Sequence, residues 1–350
     1  MTNEPEDTAL VDHPLEVLSD AGLTRPPSPL DRLRTLLHRY PALSPAVVLI
    51  ISMIVFGLLN DRFLSTANLS LVVQQVAVIG ALAIGQTLIV LTAGIDLSVG
   101  AAMILSTLVA AGVASDHGWP GPLALLAALI VGVATGVING VLVTRLNLPP
   151  FIVTLGTLNV FTAVALLYSD GATTRGIDMP ELLTWTGKSF DVAGAQITYG
   201  VVLMILMYVA MAFALSQTSW GRHVYAVGDD AESARLSGIH VTRVILSVYV
   251  TAGALFAAAG WILMGRVNAA SPNAGVDANL DSITAVVIGG TSLFGGRGAL
   301  WGSLIGALIV GVFRNGLSLA GLDVLYQTLA VGVLVIIAVS VDQWIRKVRA

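Results

Sequence analysis

The chain has 350 residues, of which 56% are hydrophobic and only 11% are charged, and its formal net charge is −4. Soluble domains carry about 25% charged residues, so most of this chain's surface is expected to face lipid. The small negative charge offers no electrostatic surface for nucleic acid. The absence of cysteine excludes disulfides, thiolate nucleophiles and cysteine-based metal sites.

Residues 1–40 precede the first apolar stretch and are predicted to form a cytoplasmic tail, disordered or with a short helix. The tail begins acidic, becomes basic and proline-rich, and has no apolar core near its start, so it is not a cleavable signal peptide. A transmembrane domain is predicted over 41–345, and a short cytoplasmic tail over 346–350.

Ten charge-poor stretches follow the tail, and each approaches the roughly 20 apolar residues that a membrane-spanning helix needs. The sequence therefore predicts an all-α, polytopic integral membrane protein with about ten transmembrane helices. The eighth span is short, and a re-entrant half-helix is an alternative for it. The predicted spans lie near 43–59, 70–91, 99–115, 121–143, 150–168, 198–216, 244–264, 281–295, 299–316 and 323–341.

Orientation follows from the positive residues, which are retained on the cytoplasmic side. With the N-terminus inside, the inner segments carry 12 of the 17 Lys and Arg residues and the outer segments carry 5. Both termini are therefore predicted to be cytoplasmic, with the long polar loop 169–197 outside.

The sequence carries no recognisable source of energy or catalysis. Gly187-Lys188-Ser189 lacks the earlier glycine of a phosphate-binding loop and falls in the predicted outer loop. The five histidines lie outside the spans without metal-ligand spacing, and no acid–base pair has a motif around it. We therefore predict no catalytic residue, metal or cofactor, and expect a gradient or a partner to drive any solute movement.

Two polar residues flank the turn between the second and third spans. Gln86 lies in the second span, and Asp96 lies in the stretch 92–100, where Gly94 lets the chain turn. Asp96 can cap the next helix, which is the structural interpretation. The functional interpretation is that Gln86 and Asp96 lie near a polar pathway.

Amides inside other spans offer the same choice. Asn139 follows Gly132 and Gly136, whose spacing brings helix backbones together, so an interhelical hydrogen bond is one role for its side chain. A route lined by uncharged amides and hydroxyls would suit a sugar. The candidate pathway residues are Gln74, Gln86, Asp96, Asn139 and Asn159.

The stretch 221–240 is too polar to span and lies on the predicted cytoplasmic face. Either aspartate of its Asp-Asp pair can cap a short amphipathic helix that ends at a glycine. Such a helix suits docking to a cytosolic partner, and the alternative is a surface helix that only closes a loop. The candidate coupling residues are Gly228, Asp229, Asp230, Glu232, Ala234, Arg235 and Gly238.

Glycines are dense over residues 289–298, but no Gly-Lys-Ser/Thr follows them, so this is not a nucleotide loop. Glycine density at membrane depth indicates tight packing or a broken helix that lines a cavity.

Together these stretches resemble the permease subunits of the branched ABC sugar importer family, of the ribose, xylose, galactose and fructose type. The resemblance implies a multi-pass protein of the bacterial cytoplasmic membrane that forms a homodimer, with ABC ATPase subunits inside and a sugar-binding protein outside. The segment 228–238 matches the region that the family uses to couple to its ATPase. The matching stretches are 94–100, 221–238, 280–298 and 315–317, in collinear order over about residues 60–345.

At two places this sequence differs from most members of the family and resembles the fructose importer branch. Asp229-Asp230 stands where most have Gly-Asn, and Asn279 stands where most have Glu. The resemblance implies a monosaccharide substrate, with fructose favoured and ribose, mannose or xylose open. A stand-alone facilitator or secondary carrier is the alternative, although it would not need the amphipathic cytoplasmic helix.

Overall fold

The structure is a computed structural model, and it describes residues 43–275, 277–333 and 336. The described chain is almost wholly helical, which confirms the all-α prediction. The predicted tails 1–40 and 346–350 and the last part of the tenth span lie outside the described residues.

The helices run in chain order with short connections. Those before the long polar loop are α1 (Leu43–Leu59), α2 (Thr66–Leu91), α3 (Val99–Ser115), α4 (Gly121–Arg145) and α5 (Pro150–Ser169). Those that follow are α6 (Glu181–Thr184), α7 (Tyr199–Gln217), α8 (Ser219–Asp229), α9 (Ala231–Leu236), α10 (Val241–Val267), α11 (Ala278–Ile288), α12 (Leu300–Leu319) and α13 (Val324–Val333).

Short strands occur only beside the polar loops in the described part of the chain. β1 (Thr174–Arg175) pairs antiparallel with β4 (Ala269–Ala270), and β2 (Ser189–Val192) pairs antiparallel with β3 (Ala195–Thr198). The second pair is a hairpin in the predicted outer loop, whose folded elements pack on the ends of α7 and α10.

Among the described residues, six helices are long and apolar enough to cross a membrane: α2, α4, α5, α7, α10 and α12. The remaining predicted spans contain the shorter apolar helices α1, α3, α11 and α13. Most helix ends fall within a few residues of the predicted ends, because charges and turn residues mark them clearly.

The eighth span departs from its predicted bounds of 281–295. Helix α11 has 11 residues, a length of about 16 Å, and it ends at Ile288. The next ten residues are irregular because Gly290, Gly295 and Gly296 have φ values of +85°, +83° and +69°. The prediction of a helix to residue 295 was therefore wrong.

Helix α2 is the centre of the bundle. Of the residues in its most apolar 18-residue stretch, 67% are buried, against 28% of those in the corresponding stretch of α5. It contacts α7, α10, α11 and α12 along its length and α8 near its end. A displacement of α2 would therefore disturb its packing against these five helices.

Glycines bring α4 and α10 into backbone contact, as the sequence predicted. A Cβ on Gly132 would overlap the Gly253 carbonyl oxygen, and a Cβ on Gly136 would overlap that of Tyr249. Asn139 lies one turn further along α4.

Candidate functional site

The structure brings Asp96 and Asn139 together in one hydrogen-bonded group. The Ser98 N–H and Oγ–H both donate to Asp96 Oδ1 at 2.7 Å. Asn139 Nδ2 donates to Ser98 Oγ at 2.9 Å and to Asp96 Oδ2 at 3.4 Å, and Thr157 Oγ1 donates to Asn139 Oδ1 at 2.7 Å. All four residues are buried, and Asp96 is only 1% exposed. We call Asp96, Ser98, Asn139 and Thr157 the Asp96 cluster.

The Asp96 cluster fastens the α2–α3 connection to α4 and α5. Thr154 of α5 adds a hydrogen bond to the Ile95 carbonyl at 3.0 Å. Asp96 accepts the Ser98 N–H before α3 begins, and the N-cap residue of α3 is Ser98, whose side chain makes no cap hydrogen bond. The prediction that Asp96 caps this helix was therefore wrong, because its carboxylate closes a turn of the preceding chain. The left-handed residue of this turn is Ala93, with φ of +59°, rather than Gly94 as predicted. Gly94 is needed instead because it approaches Ile89 closely.

Gln86 lies on α2 in a different situation. Its side chain is 0% exposed, and neither Oε1 nor Nε2 has a hydrogen-bond partner among the residues that the structure describes. Roughly 90% or more of buried polar groups in proteins are hydrogen-bonded. Leaving one unpaired costs about 1–3 kcal/mol, so a doubly unpaired amide requires an explanation.

The two other predicted pathway residues lie apart from the Asp96 cluster. Gln74 Nε2 donates to the Gln196 carbonyl of the outer hairpin at 3.1 Å. Asn159 is exposed on α5, and its Nδ2 donates to the Leu155 carbonyl of its own helix at 3.1 Å. The structure does not join either of them to the cluster by a hydrogen bond within the described chain.

The predicted coupling segment folds as two helices joined by one residue. Asp230, not Asp229, is the cap of α9: its Oδ1 accepts from the Glu232 N–H at 2.9 Å and the Ser233 N–H at 3.1 Å. These bonds to Ser233 and Glu232 hold the pKa of Asp230 below its ordinary value. The end of α9 is marked by Gly238, with φ of +84°.

One face of α9 is exposed. Leu236 is 80% exposed, while Ala234 is buried. Glu232 and Arg235 form an exposed ion pair at 2.6 Å. Leu236, Glu232 and Arg235 thus all lie on the exposed surface of α9.

Helix α8 was not predicted as a separate element. Thr218 Oγ1 accepts from the Gly221 N–H at its start, and Trp220 Nε1 donates to Ser247 Oγ of α10 at 2.8 Å. The sequence signal for this helix is Thr218, a capping residue that precedes an apolar pattern. The polar residues within and around that pattern make the signal hard to recognise.

The end of α8 packs against α2 and the glycine-rich loop. A Cβ on Gly228 would overlap the Leu91 carbonyl oxygen, which accepts a hydrogen bond from the Gly296 N–H at 3.0 Å. The Tyr225 hydroxyl donates to the Gly298 carbonyl at 3.0 Å. Burial raises the pKa of Tyr225, so its hydroxyl stays neutral and able to donate.

The family described as branched-chain amino acid transport system, permease component, matches residues 68–339. The chain belongs to this permease family. The fructose import permease of Rhizobium meliloti is 49% identical over 92% of this chain and 90% of its own length. The ribose import permease of Bacillus subtilis is 41% identical over 86% and 92%, and the xylose transport permease of Escherichia coli K12 is 33% identical over 81% and 86%.

These relatives confirm the resemblance to ABC sugar importer permeases that the sequence indicated. The chain is a multi-pass permease of the bacterial inner membrane and a non-catalytic transport subunit.

Proposed function

We propose that this permease carries a monosaccharide into the cell, with fructose as the first candidate. The observation that carries the proposal is the 49% identity, over 92% of this chain, to a fructose import permease. Other relatives are named for ribose, allose and xylose, so the substrate class is the same throughout. Ribose, xylose and mannose are the competing sugars.

The proposed importer contains two copies of this chain, ABC ATPase subunits on the cytoplasmic side and a sugar-binding protein outside. The exposed face of α9, with Leu236 beside the Glu232–Arg235 pair, supports docking of the ATPase. In this arrangement about ten helices lie in the membrane, both termini are cytoplasmic and 169–197 is outside. The excess of Lys and Arg in the inner segments supports that orientation.

We further propose that Gln86 lies on the solute route. Its buried, unpaired amide can donate and accept hydrogen bonds without a charge, which matches sugar hydroxyls. Asp96 and Asn139 are proposed as the adjacent wall, since their polar atoms already bond to each other and to Ser98. Gln74 and Asn159 are proposed as outlying positions of the same route.

Uptake in proteoliposomes tests the proposal. The permease is reconstituted with the ATPase and binding protein that copurify with it, and entry of radiolabelled fructose, ribose, xylose and mannose is measured. Fructose entry that requires ATP hydrolysis supports the proposal. ATP-independent equilibration would instead show a facilitator, and ATP-dependent preference for another sugar would reject fructose.

A matched pair of glycine variants tests the docking segment. Gly238 and Gly118 both have positive φ, +84° and +68°, with no neighbouring atom that a Cβ would meet, so valine imposes similar strain at each. We expect Gly238→Val to reduce sugar-stimulated ATP hydrolysis at least tenfold and Gly118→Val to preserve it. Equal stimulation in both variants would remove α9 as the docking element.

A further inference from the structure

We propose that ATPase-driven movement enters the bundle through a rigid junction of three backbone segments. They are the end of α8, the end of α2 and the glycine-rich loop 289–298, and we call their contact the glycine junction. Its positioning residues are Gly228, Gly296 and Tyr225. This inference rests on the proposed function, because it requires an ATPase docked on α9.

The backbones at the glycine junction touch directly. Besides the Gly228 contact with Leu91, a Cβ on Gly296 would lie 2.7 Å from Asp229 Cα, and a Cβ on Gly295 would lie 2.5 Å from the Gly228 carbonyl oxygen. Real Cβ atoms essentially never approach another atom within 3.0 Å. No side chain separates the three segments, so displacement of one must displace the others.

Two hydrogen bonds hold the segments together in addition to this packing. The Gly296 N–H to Leu91 carbonyl bond joins the loop to α2, and the Tyr225 hydroxyl to Gly298 carbonyl bond joins α8 to the loop. Steric contact resists compression and the hydrogen bonds resist separation. The glycine junction can therefore transmit both a push and a pull.

The glycine junction connects the docking surface to the proposed solute route. On one side, only Asp230 separates α8 from α9. On the other side, Gln86 lies little more than one helical turn before Leu91 on α2. The loop leads into α12, where Ser303 Oγ and Thr87 Oγ1 share a hydrogen bond of 2.7 Å. A movement of α9 is thus delivered to α2 and α12 together.

The first test compares two glycine-to-alanine variants in the reconstituted importer. Gly228→Ala forces α8 away from α2, while Gly132→Ala creates a similar backbone overlap at the α4–α10 contact. The measured quantity is the number of sugar molecules imported per ATP hydrolysed by complex isolated by size exclusion. We expect Gly228→Ala to lower this ratio at least tenfold and Gly132→Ala to preserve it.

Equal ratios in the two variants would overturn the inference. Tyr225→Phe provides a milder variant that removes only the hydroxyl and its bond to Gly298. We expect it to lower the ratio several-fold with normal assembly, and an unchanged ratio would count against the junction.

Failure of the proposed function is distinguished by the unmutated complex: without sugar-stimulated ATP hydrolysis there, the importer assignment itself fails. A normal unmutated complex with a normal Gly228→Ala ratio rejects the junction alone.

Discussion

The Asp96 cluster and Gln86 are both buried polar sites, yet they differ in how their hydrogen-bonding groups are used. In the cluster, the carboxylate, amide and hydroxyl groups of four residues bond to one another. Gln86 has two polar atoms with no partner in the described chain. The first arrangement lowers the energy of this conformation, and the second raises it.

This difference separates a fixed wall from a moving part. The cluster holds the α2–α3 turn against α4 and α5, so its residues define a position. Gln86 lies on α2, the central helix whose end takes part in the glycine junction. A shift of α2 can therefore bring the Gln86 amide to a new hydrogen-bond partner. An unpaired buried amide is tolerable where another conformation or a bound solute supplies the missing bonds.

The largest effect on stability is expected for Asn139→Leu. The change removes the donor to Ser98 and Asp96 and leaves the Thr157 hydroxyl without its main acceptor. Leaving a buried donor or acceptor unpaired costs about 1–3 kcal/mol, and more where the group is a carboxylate such as that of Asp96. We expect a lower thermal midpoint and a lower yield of assembled complex, with uptake per assembled complex much less affected.

The control is Asn159→Leu, which makes the same chemical change at an exposed amide of α5. It should leave the thermal midpoint unchanged. If Asn139→Leu assembles normally and fails only in uptake, Asn139 takes part in moving the solute instead of fixing a wall of its route, and the distinction drawn above is lost.

Gln86→Leu should show the opposite pattern. Leucine fills a similar volume without polar atoms, so assembly should be equal to that of the unmutated chain or improved by about 1 kcal/mol. Uptake should fall at least tenfold because the route loses its hydrogen-bonding group.

Gln327→Leu changes another buried amide, one whose Nε2 donates to the Leu322 carbonyl at 2.9 Å, and serves as the matched control. We expect it to retain uptake within threefold. Uptake at the unmutated level in Gln86→Leu, at equal amounts of complex, would contradict the role given to this residue.

Sequence reasoning located most spans because charges and turn residues interrupt the apolar stretches. It placed the end of the eighth span at residue 295, beyond the end of α11 at Ile288, because hydropathy does not register the backbone freedom of the glycines in 289–298. The density of these glycines had indicated a broken helix as one alternative. The count of apolar residues contains no information on φ.

The candidate site was predicted as residues but not as contacts. Asp96 and Asn139 were each proposed, yet they are 43 positions apart, and one sequence cannot show that they meet. Gly228 was proposed for an exposed docking surface, whereas it is buried against Leu91. The difference between the fully bonded cluster and the unpaired Gln86 exists only in three dimensions.

A smaller loss of stability is expected for Thr157→Val. Valine keeps the shape of the side chain and removes the hydroxyl that donates to Asn139 Oδ1 at 2.7 Å. The cost should be about 1 kcal/mol, seen as a modest decrease in thermal midpoint. Thr157→Ser keeps the hydroxyl and should recover most of it. Equal losses in both variants would indicate that packing of the methyl group, not the hydrogen bond, carries the effect.

The smallest effect is expected for Tyr249→Phe, which tests whether an unpaired buried group is by itself a sign of function. The Tyr249 hydroxyl is buried on α10 and, like Gln86, has no hydrogen-bond partner in the described part of the chain. It lies close to Gly94 in the turn that the Asp96 cluster holds, so we assign it to the fixed wall. Removing it should leave the thermal midpoint unchanged or slightly raised, with uptake within twofold of normal.

Tyr208→Phe is the matched control, because its buried hydroxyl donates to the Gly80 carbonyl at 3.0 Å. Its loss should cost about 1 kcal/mol, since that carbonyl loses a partner. The informative outcome is uptake in Tyr249→Phe. A tenfold decrease at normal assembly would mean that the solute reaches the turn beside the Asp96 cluster. Tyr249 would then belong to the solute route, together with Gln86, and not to the fixed wall. Unchanged uptake would show that an unpaired buried group is not by itself a sign of function. The Gln86 amide would then matter because it lies on α2, the helix that the glycine junction can move.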